Sequence, residues 1–232
     1  MSKKKSDKAE VRVEGVEHAL TKAEQFLETY QKHIMWAVGI ILAIVVLYMA
    51  FQRYYVEKRS NEAAEQMFPA EQYFESDNWE LALDGDGNNL GFVDIVSDYK
   101  FTPSANLAKY YAGICYLNLG EYESAVDYLA KFKSKDIILS SIALGGIGDA
   151  YAGLEDIDKA ISFYKKAADN KKNEFTTPLY LLRAGILLEQ QGRYKEAAES
   201  FNRIKKEYSS STEGRSIDKY LTRVEIKQQQ GS

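Results

Sequence analysis

Residues able to do chemistry are few in this chain, and they are badly spaced for catalysis. The two histidines, His18 and His33, belong to no HExxH pattern, and no glycine motif ending in Lys-Ser/Thr is present to cradle a phosphate. Cys115 is the single cysteine, which rules out an internal disulfide and a paired-thiolate metal site. Within an apolar helical stretch it reads as an inert core thiol. One run has metal-ligand character: Asp84-Gly85-Asp86-Gly87-Asn88-Asn89, in which Asp84, Asp86 and Asn88 alternate like the start of an EF-hand loop. That loop also needs a glycine at its sixth position and a bidentate Glu at its twelfth, where this chain has Asn89 and Ile95. Asp and Gly also build ordinary turns. No catalytic residue, cofactor or metal is therefore expected. Arg203, Lys205 and Lys206 alternate with acids as a solvated helix face does. A net charge of -4 points to no nucleic-acid partner.

The elements around these residues say more. Between Ile34 and Phe51 lie 18 residues without a charge, IMWAVGIILAIVVLYMAF. As a helix they would extend about 27 Å, close to the roughly 30 Å hydrocarbon core of a bilayer. Trp36 stands near one end of the run and Tyr48, Tyr54 and Tyr55 near the other, where interfacial anchors belong. Lys32 and Arg53 bracket it and could snorkel. A buried core helix or a cleaved signal peptide would also supply an apolar run. Against cleavage, the preceding segment is long and contains acids, and no small-x-small site follows. The expectation is an uncleaved transmembrane helix over 34–51.

Lysine and arginine near the span set its orientation. Residues 14–33 hold two, Lys22 and Lys32, and residues 52–71 hold three, Arg53, Lys58 and Arg59. The whole N-terminal tail holds seven: Lys3, Lys4, Lys5, Lys8, Arg12, Lys22 and Lys32. The tail count favours a cytoplasmic N-terminus and a periplasmic C-terminal part in a bacterial inner membrane, and the local count does not. Within the tail, residues 1–33, the apolar residues Val13, Val16, Leu20, Ala23, Leu27, Tyr30 and Ile34 recur at spacings of three and four. That is one stripe on a helix. Its polar face is acidic, with Glu10, Glu14, Glu17, Glu24 and Glu28, so it suits a second copy or a protein partner better than anionic lipid. A juxtamembrane helix with no dedicated partner is the plain alternative.

Beyond the span the chain repeats. Gly113, Gly148 and Gly185 are 35 and 37 residues apart, and Ala125, Ala160 and Ala197 share those intervals. A turn lies between each Gly and Ala: Leu119-Gly120-Glu121-Tyr122, Leu154-Glu155-Asp156-Ile157 and Gln191-Gly192-Arg193-Tyr194. Four residues beyond each Ala stands a bulky side chain, Leu129, Tyr164 or Phe201. A mid-helix Gly costs about 1 kcal/mol against Ala, so three in register imply close helix packing. A degenerate repeat is expected in residues 52–103. Its first helix would run over about 56–83 with Pro69 as a kink or break, and Gly91 and Ile95 would take the small and bulky positions. Three clear repeats fill 104–208, and 209–232 form a polar capping helix and tail, as helical arrays require.

The segments AGICYLNLGEYESAVDYL, GIGDAYAGLEDIDKAISFYKKA and AGILLEQQGRYKEAAESFNRI resemble the tetratricopeptide repeat. The fold class is then all-α: one transmembrane helix followed by a tetratricopeptide-type solenoid. The resemblance implies a groove lined by first helices. Leu107, Tyr110 and Ile114 would face it from one repeat, and Leu179, Leu182 and Ile186 from another. Asp149 and Glu189 would edge it, with Arg183 as its one basic residue. Such an apolar groove suits a hydrophobic segment of a protein partner, or else it is covered by the chain's own ends. The layout also resembles the ancillary subunit of the bacterial SecYEG translocon. That resemblance implies a protein-interaction role beside the translocon, coupling client polypeptides to periplasmic chaperones. A scaffold of another envelope assembly or secretion complex, and a cytoplasm-facing receptor, share the same architecture.

Overall fold

In the computed structural model the described residues are 29–230. Val13, Val16, Leu20 and Leu27 of the N-terminal stripe lie outside them. The chain divides after Val56 into two units. The first holds helix α1 (29–50) and a π-helical stretch, Phe51–Val56. Its apolar window has a mean hydropathy of 2.6, and none of it is buried. Tyr30, the one described member of the stripe named above besides Ile34, meets the His33 ring edge-on. Near the other end of the run, Phe51 stacks on Tyr55.

The second unit begins at Glu57 and is built of helical hairpins. Its elements are α2 (Glu57–Glu75), α3 (Trp79–Asp84), α4 (Phe92–Asp98), α5 (Pro103–Leu119), α6 (Tyr122–Lys131), α7 (Ile137–Gly153), α8 (Ile157–Asn170), α9 (Thr176–Gln190), α10 (Tyr194–Glu207) and α11 (Ile217–Gln230). From α5 to α11 each helix packs on the next. The first helices also touch across hairpins, α5 with α7 and α7 with α9. This is an all-α tetratricopeptide-type solenoid.

The small–large pairs are the contacts that close the hairpins. A Cβ added at Gly113 would lie 2.6 Å from Leu129 Cγ, and one at Gly148 would lie 2.7 Å from Tyr164 Cδ1. At Gly185 it would run into the Phe201 ring. Ala125, Ala160 and Ala197 are fully buried beside them, so the backbones of both helices approach as two small residues allow.

Each first helix ends in the same way. Gly120, Glu155 and Gly192 are left-handed, with φ of 80°, 61° and 71°. The next N–H reaches back to the carbonyl five residues earlier: Glu121 to Tyr116 at 2.9 Å, Asp156 to Tyr151 at 3.0 Å, Arg193 to Leu188 at 2.9 Å. This Schellman closure satisfies carbonyls that the helix leaves orphaned. Asp77 repeats it after α2, with φ 58° and Asn78 N donating to Tyr73 O at 2.9 Å.

That fourth closure corrects the register of the degenerate repeat. Counted from the left-handed residue, the small residue seven before it is Gly113, Gly148 or Gly185, and here it is Ala70. The alanine five after it is Ala125, Ala160 or Ala197, and here it is Ala82. Ala70 and Ala82 are both fully buried. The small position belongs to Ala82 and not to Gly91. Pro69 does not break the first helix, which continues to Glu75. The carbonyl that Pro69 cannot cap belongs to Glu65, which is exposed to water. The second helix is instead split, into α3 and α4, around the turn at 85–91. Ile95 and Phe92 of α4 are nonetheless fully buried, and Phe92 stacks on Tyr111 of α5 at 4.9 Å.

The Asp-Gly turn is held by Asp86. Its carboxylate accepts from Tyr73 Oη at 2.8 Å, from the backbone of Asn88 at 2.9 Å and Asn89 at 2.7 Å, and from Asn89 Nδ2 at 2.9 Å. The hydrogen bonds from Asn89, with those from Tyr73 and Asn88, hold Asp86 well below the usual carboxylate range. Both oxygens of Asp86 are thus engaged within the turn.

The first-helix face as candidate interaction site

All of the residues expected to line a groove lie on first helices, and all are half-buried. Leu107, Tyr110 and Ile114 fall on α5, Asp149 on α7, and Leu179, Leu182, Arg183 and Ile186 on α9. Two packing groups divide them. The α5 residues lean on the cluster of Leu129, Phe132, Ala143 and Ile147. Leu179, Leu182 and Ile186 lean on the larger cluster around Tyr180, Leu181 and Phe201. Their inner sides are thus core, and their outer sides remain accessible.

Asp149 and Arg183 come together across α7 and α9 as an ion pair. Asp149 also accepts from Tyr164 Oη at 2.6 Å. The Tyr164 and Tyr180 rings stack at 6.2 Å, and the Arg183 guanidinium lies 6.0 Å from one centroid and 5.8 Å from the other. Burial pushes both tyrosine hydroxyls up, Tyr164 further through its bond to Asp149. Burial alone would lower Arg183, but Asp149 outweighs it and raises the guanidinium. Arg183 is therefore committed to a carboxylate of its own chain.

Tyr180 and Gly145 were not singled out by sequence, although the structure puts them at this site. A Cβ at Gly145 would occupy the Tyr180 ring, so the glycine is what lets α9 seat its tyrosine against α7. The Gly145-Gly146 pair was the available signal, but it lies outside the register of Gly113, Gly148 and Gly185.

Glu189 does not edge the face. It is 4% exposed and clamped by α11: Arg223 Nε donates at 2.7 Å and Nη2 at 2.5 Å, and Lys227 Nζ at 2.9 Å. Burial pushes its carboxyl up, but the bonds from Arg223 and Lys227, with their charges, win and lower it. The last helix is thus fastened to the third repeat by a buried acid and two cations. A second ionic set joins second helices: Arg193 grips Glu196 at 2.8 and 2.9 Å and Asp158 at 2.8 Å, and Lys165 reaches Glu196 at 3.4 Å. Cys115 is fully buried, and burial first, with Asp84 nearby, pushes its thiol up to about 12. Among the described residues no cluster of ligand side chains is positioned to hold a metal.

Residues 146–212 match the tetratricopeptide repeat family, and residues 107–136 match a second tetratricopeptide repeat pattern. Among solved structures, the chain is similar to the nearly identical TPR-like repeats of a putative kinesin light chain from Podosopora anserina. The two share 13% identity and a TM-score of 0.53, over 74% of this chain and 88% of that one. At that identity the likeness concerns the fold alone. No curated protein matches the chain. The chain carries tetratricopeptide repeats, a fold that serves as a protein-interaction scaffold and is not typically enzymatic.

Proposed function

We propose that this protein is a membrane-anchored protein-interaction module. We further propose that it acts as an ancillary translocon subunit of the bacterial inner membrane, coupling exported polypeptides to periplasmic chaperones. The observation that carries the anchoring is the apolar window of α1, none of which is buried by the protein. Burying one large apolar side chain is worth about 1.5–3 kcal/mol, so Ile40, Ile41, Leu42, Ile44, Val45 and Leu47, all exposed, favour a hydrocarbon surrounding strongly. The tail of seven Lys and Arg supports a cytoplasmic N-terminus.

The half-exposed face of Leu107, Tyr110, Ile114, Leu179, Leu182 and Ile186 is the surface we assign to clients. Apolar and aromatic, it fits a hydrophobic segment. Because Arg183 is paired with Asp149, recognition of a free carboxylate is not its task. The N-terminal stripe, from Val13 to Tyr30, is assigned to the partner at the membrane surface.

The test is purification from mildly solubilised membranes through a C-terminal tag, with cross-linking and mass spectrometry. Translocon subunits cross-linked to Lys22, Lys32 or the span are the expected result. A different envelope complex in their place would end the translocon assignment and leave the interaction module standing. A C-terminal reporter active only outside the cytoplasm should be active, and a stable but silent fusion would reverse the topology.

A further inference from the structure

The connections leading from each second helix into the next first helix share a composition. Phe101 is 80% exposed and Phe175 is 74% exposed, and Ile137 and Ile138 between them are also exposed. Their spacing follows the repeat: 36 residues from Phe101 to Ile137 and 37 from Ile138 to Phe175. Phe101 holds a left-handed backbone, φ 70°, a conformation that strains a bulky residue. Its ring gains no burial within the protein in return.

Lysines flank each of these side chains. Segments 98–101, 131–138 and 169–175 hold Lys100, Lys131, Lys133, Lys135, Lys171 and Lys172 against Asp98, Asp136, Asp169 and Glu174. Three of those acids are engaged, Asp98 by accepting from Ser97 Oγ at 3.0 Å, and Lys131 is itself paired with Asp127. Asp136 caps α7 by accepting from Ile138 N and Leu139 N, and Asp169 pairs with Arg203. The opposite turns, 119–122, 154–157 and 191–194, hold Glu121, Glu155, Asp156 and Arg193, with no exposed large hydrophobic residue.

Hydrogen bonds join these connections into one edge. Arg59 Nη2 donates to Asp98 O at 2.6 Å, and Ser104 Oγ donates to Ser60 O at 3.1 Å. Asn106 and Lys133 exchange bonds of 2.8 and 3.2 Å, and Lys171 Nζ donates to Lys135 O. Ser60 lies three residues after Glu57, where the repeat unit begins. The repeat unit therefore begins on this edge.

We propose that this edge rests on anionic phospholipid, with Phe101, Ile138 and Phe175 dipping among the headgroups and Lys133, Lys135 and Lys172 on their phosphates. The proposal rests on the membrane anchoring proposed above. Cations beside isolated apolar tips suit a headgroup layer. A protein partner would instead call for one contiguous apolar patch, and these side chains sit on separate connections.

The full chain is reconstituted into vesicles of brominated phosphatidylcholine, with or without phosphatidylglycerol. A bimane label is placed at Phe101→Cys or Phe175→Cys on the edge, at Gln191→Cys on the opposite turn, or at Val45→Cys in the span. Buried Cys115 does not compete for label. The expected result is loss of emission at both edge positions when phosphatidylglycerol is present, full emission at Gln191→Cys, and restored emission in Lys133→Glu/Lys135→Glu/Lys172→Glu. Quenching at Val45→Cys with none at the edge overturns the proposal and leaves the anchoring intact. No quenching at Val45→Cys overturns the anchoring and the proposal together. Edge quenching that ignores both phosphatidylglycerol and lysine reversal overturns the recognition of anionic lipid.

Discussion

Glu189 and Arg223 form the bond that fastens the last helix: a carboxylate 4% exposed meets a guanidinium 34 residues later in a two-point contact of 2.7 and 2.5 Å. Arg223 and Lys227 are themselves about half exposed, so solvent screens part of the pair. Removing one partner of a charged hydrogen bond at such a site costs about 1–2 kcal/mol after that discount. Arg223→Ala should open α11 by a factor of roughly 5–30, read as faster hydrogen exchange over 217–230 with little change in α5. Uniform acceleration across the domain would show that α11 is not a separate unit of stability. The carboxyl of Glu189 is depressed in the folded state. Its contribution is complete above the ordinary Glu range and is lost as pH falls through the lowered value.

Gly185 and Phe201 test the packing. Gly185→Ala gains about 1 kcal/mol of helix propensity, but its methyl enters a ring that is fully buried and has nowhere to move. Overpacking of this kind costs about 1–3 kcal/mol, so the net effect should be a lower denaturation midpoint. Adding Phe201→Leu should recover part of it. If Gly185→Ala alone raised the midpoint, the close approach would not be what the glycine is for.

The three small–large pairs were legible because close helix packing fixes both partners at constant offsets from the turn: Gly113 with Leu129, Gly148 with Tyr164, Gly185 with Phe201. The degenerate repeat was misread because Gly91 stands 34 residues before Ala125 and imitates the period. Ala82, which holds the position, stands 43 before it because the turn at 85–91 splits the second helix. Asp77 hid the end of α2, since a left-handed closure is recognised in sequence by glycine, whereas the end at Glu155 was legible from the repeat interval alone. At the first-helix face, the α5 and α9 residues were placed on the right helices. Glu189 was misassigned because its partners are contributed by α11, far along the chain, and long-range ion pairs leave no local periodicity.

Asp77 and Glu155 hold the left-handed position that Gly120 and Gly192 hold in the other repeats. A non-glycine residue there carries about 1–2 kcal/mol of strain. Glu155→Gly should therefore raise stability by up to about 1 kcal/mol, the rest being offset by the greater freedom of glycine in the unfolded chain. Gly192→Ala should lower it. Paired urea midpoints decide the matter, and a destabilised Glu155→Gly would contradict the assignment of strain.

The turn at 85–91 is tied together by Asp86. Asp86→Ala removes the acceptor of four bonds, so limited proteolysis should cut between Asp84 and Gly91 far faster than in the parent. Calcium should leave the rate of the parent unchanged, and protection by calcium would restore the metal-loop alternative. Because the folded carboxyl is held low, protection should persist through mildly acid pH and fail only as pH falls well below the ordinary Asp range.

Tyr164, buried on α8, joins Asp149 and Arg183 of the first-helix face in one unit, which a double-mutant cycle can measure. Tyr164→Phe removes a hydrogen bond to a carboxylate that also carries the ion pair. The expected loss is about 0.5–1.5 kcal/mol. In an Asp149→Ala background the same change should be nearly neutral, because the hydroxyl has already lost its acceptor. The coupling should fall within the roughly 0.5–3 kcal/mol found for residues sharing one network. Additive losses would mean that Tyr164 is held by its stacking on Tyr180 and not by Asp149. If this face also receives clients, Asp149→Ala should reduce client cross-links to Tyr110 and Leu182 while leaving cross-links from the tail in place. The charged pair holds Tyr164 and Tyr180 in one arrangement, and freeing them raises the ordering cost of binding.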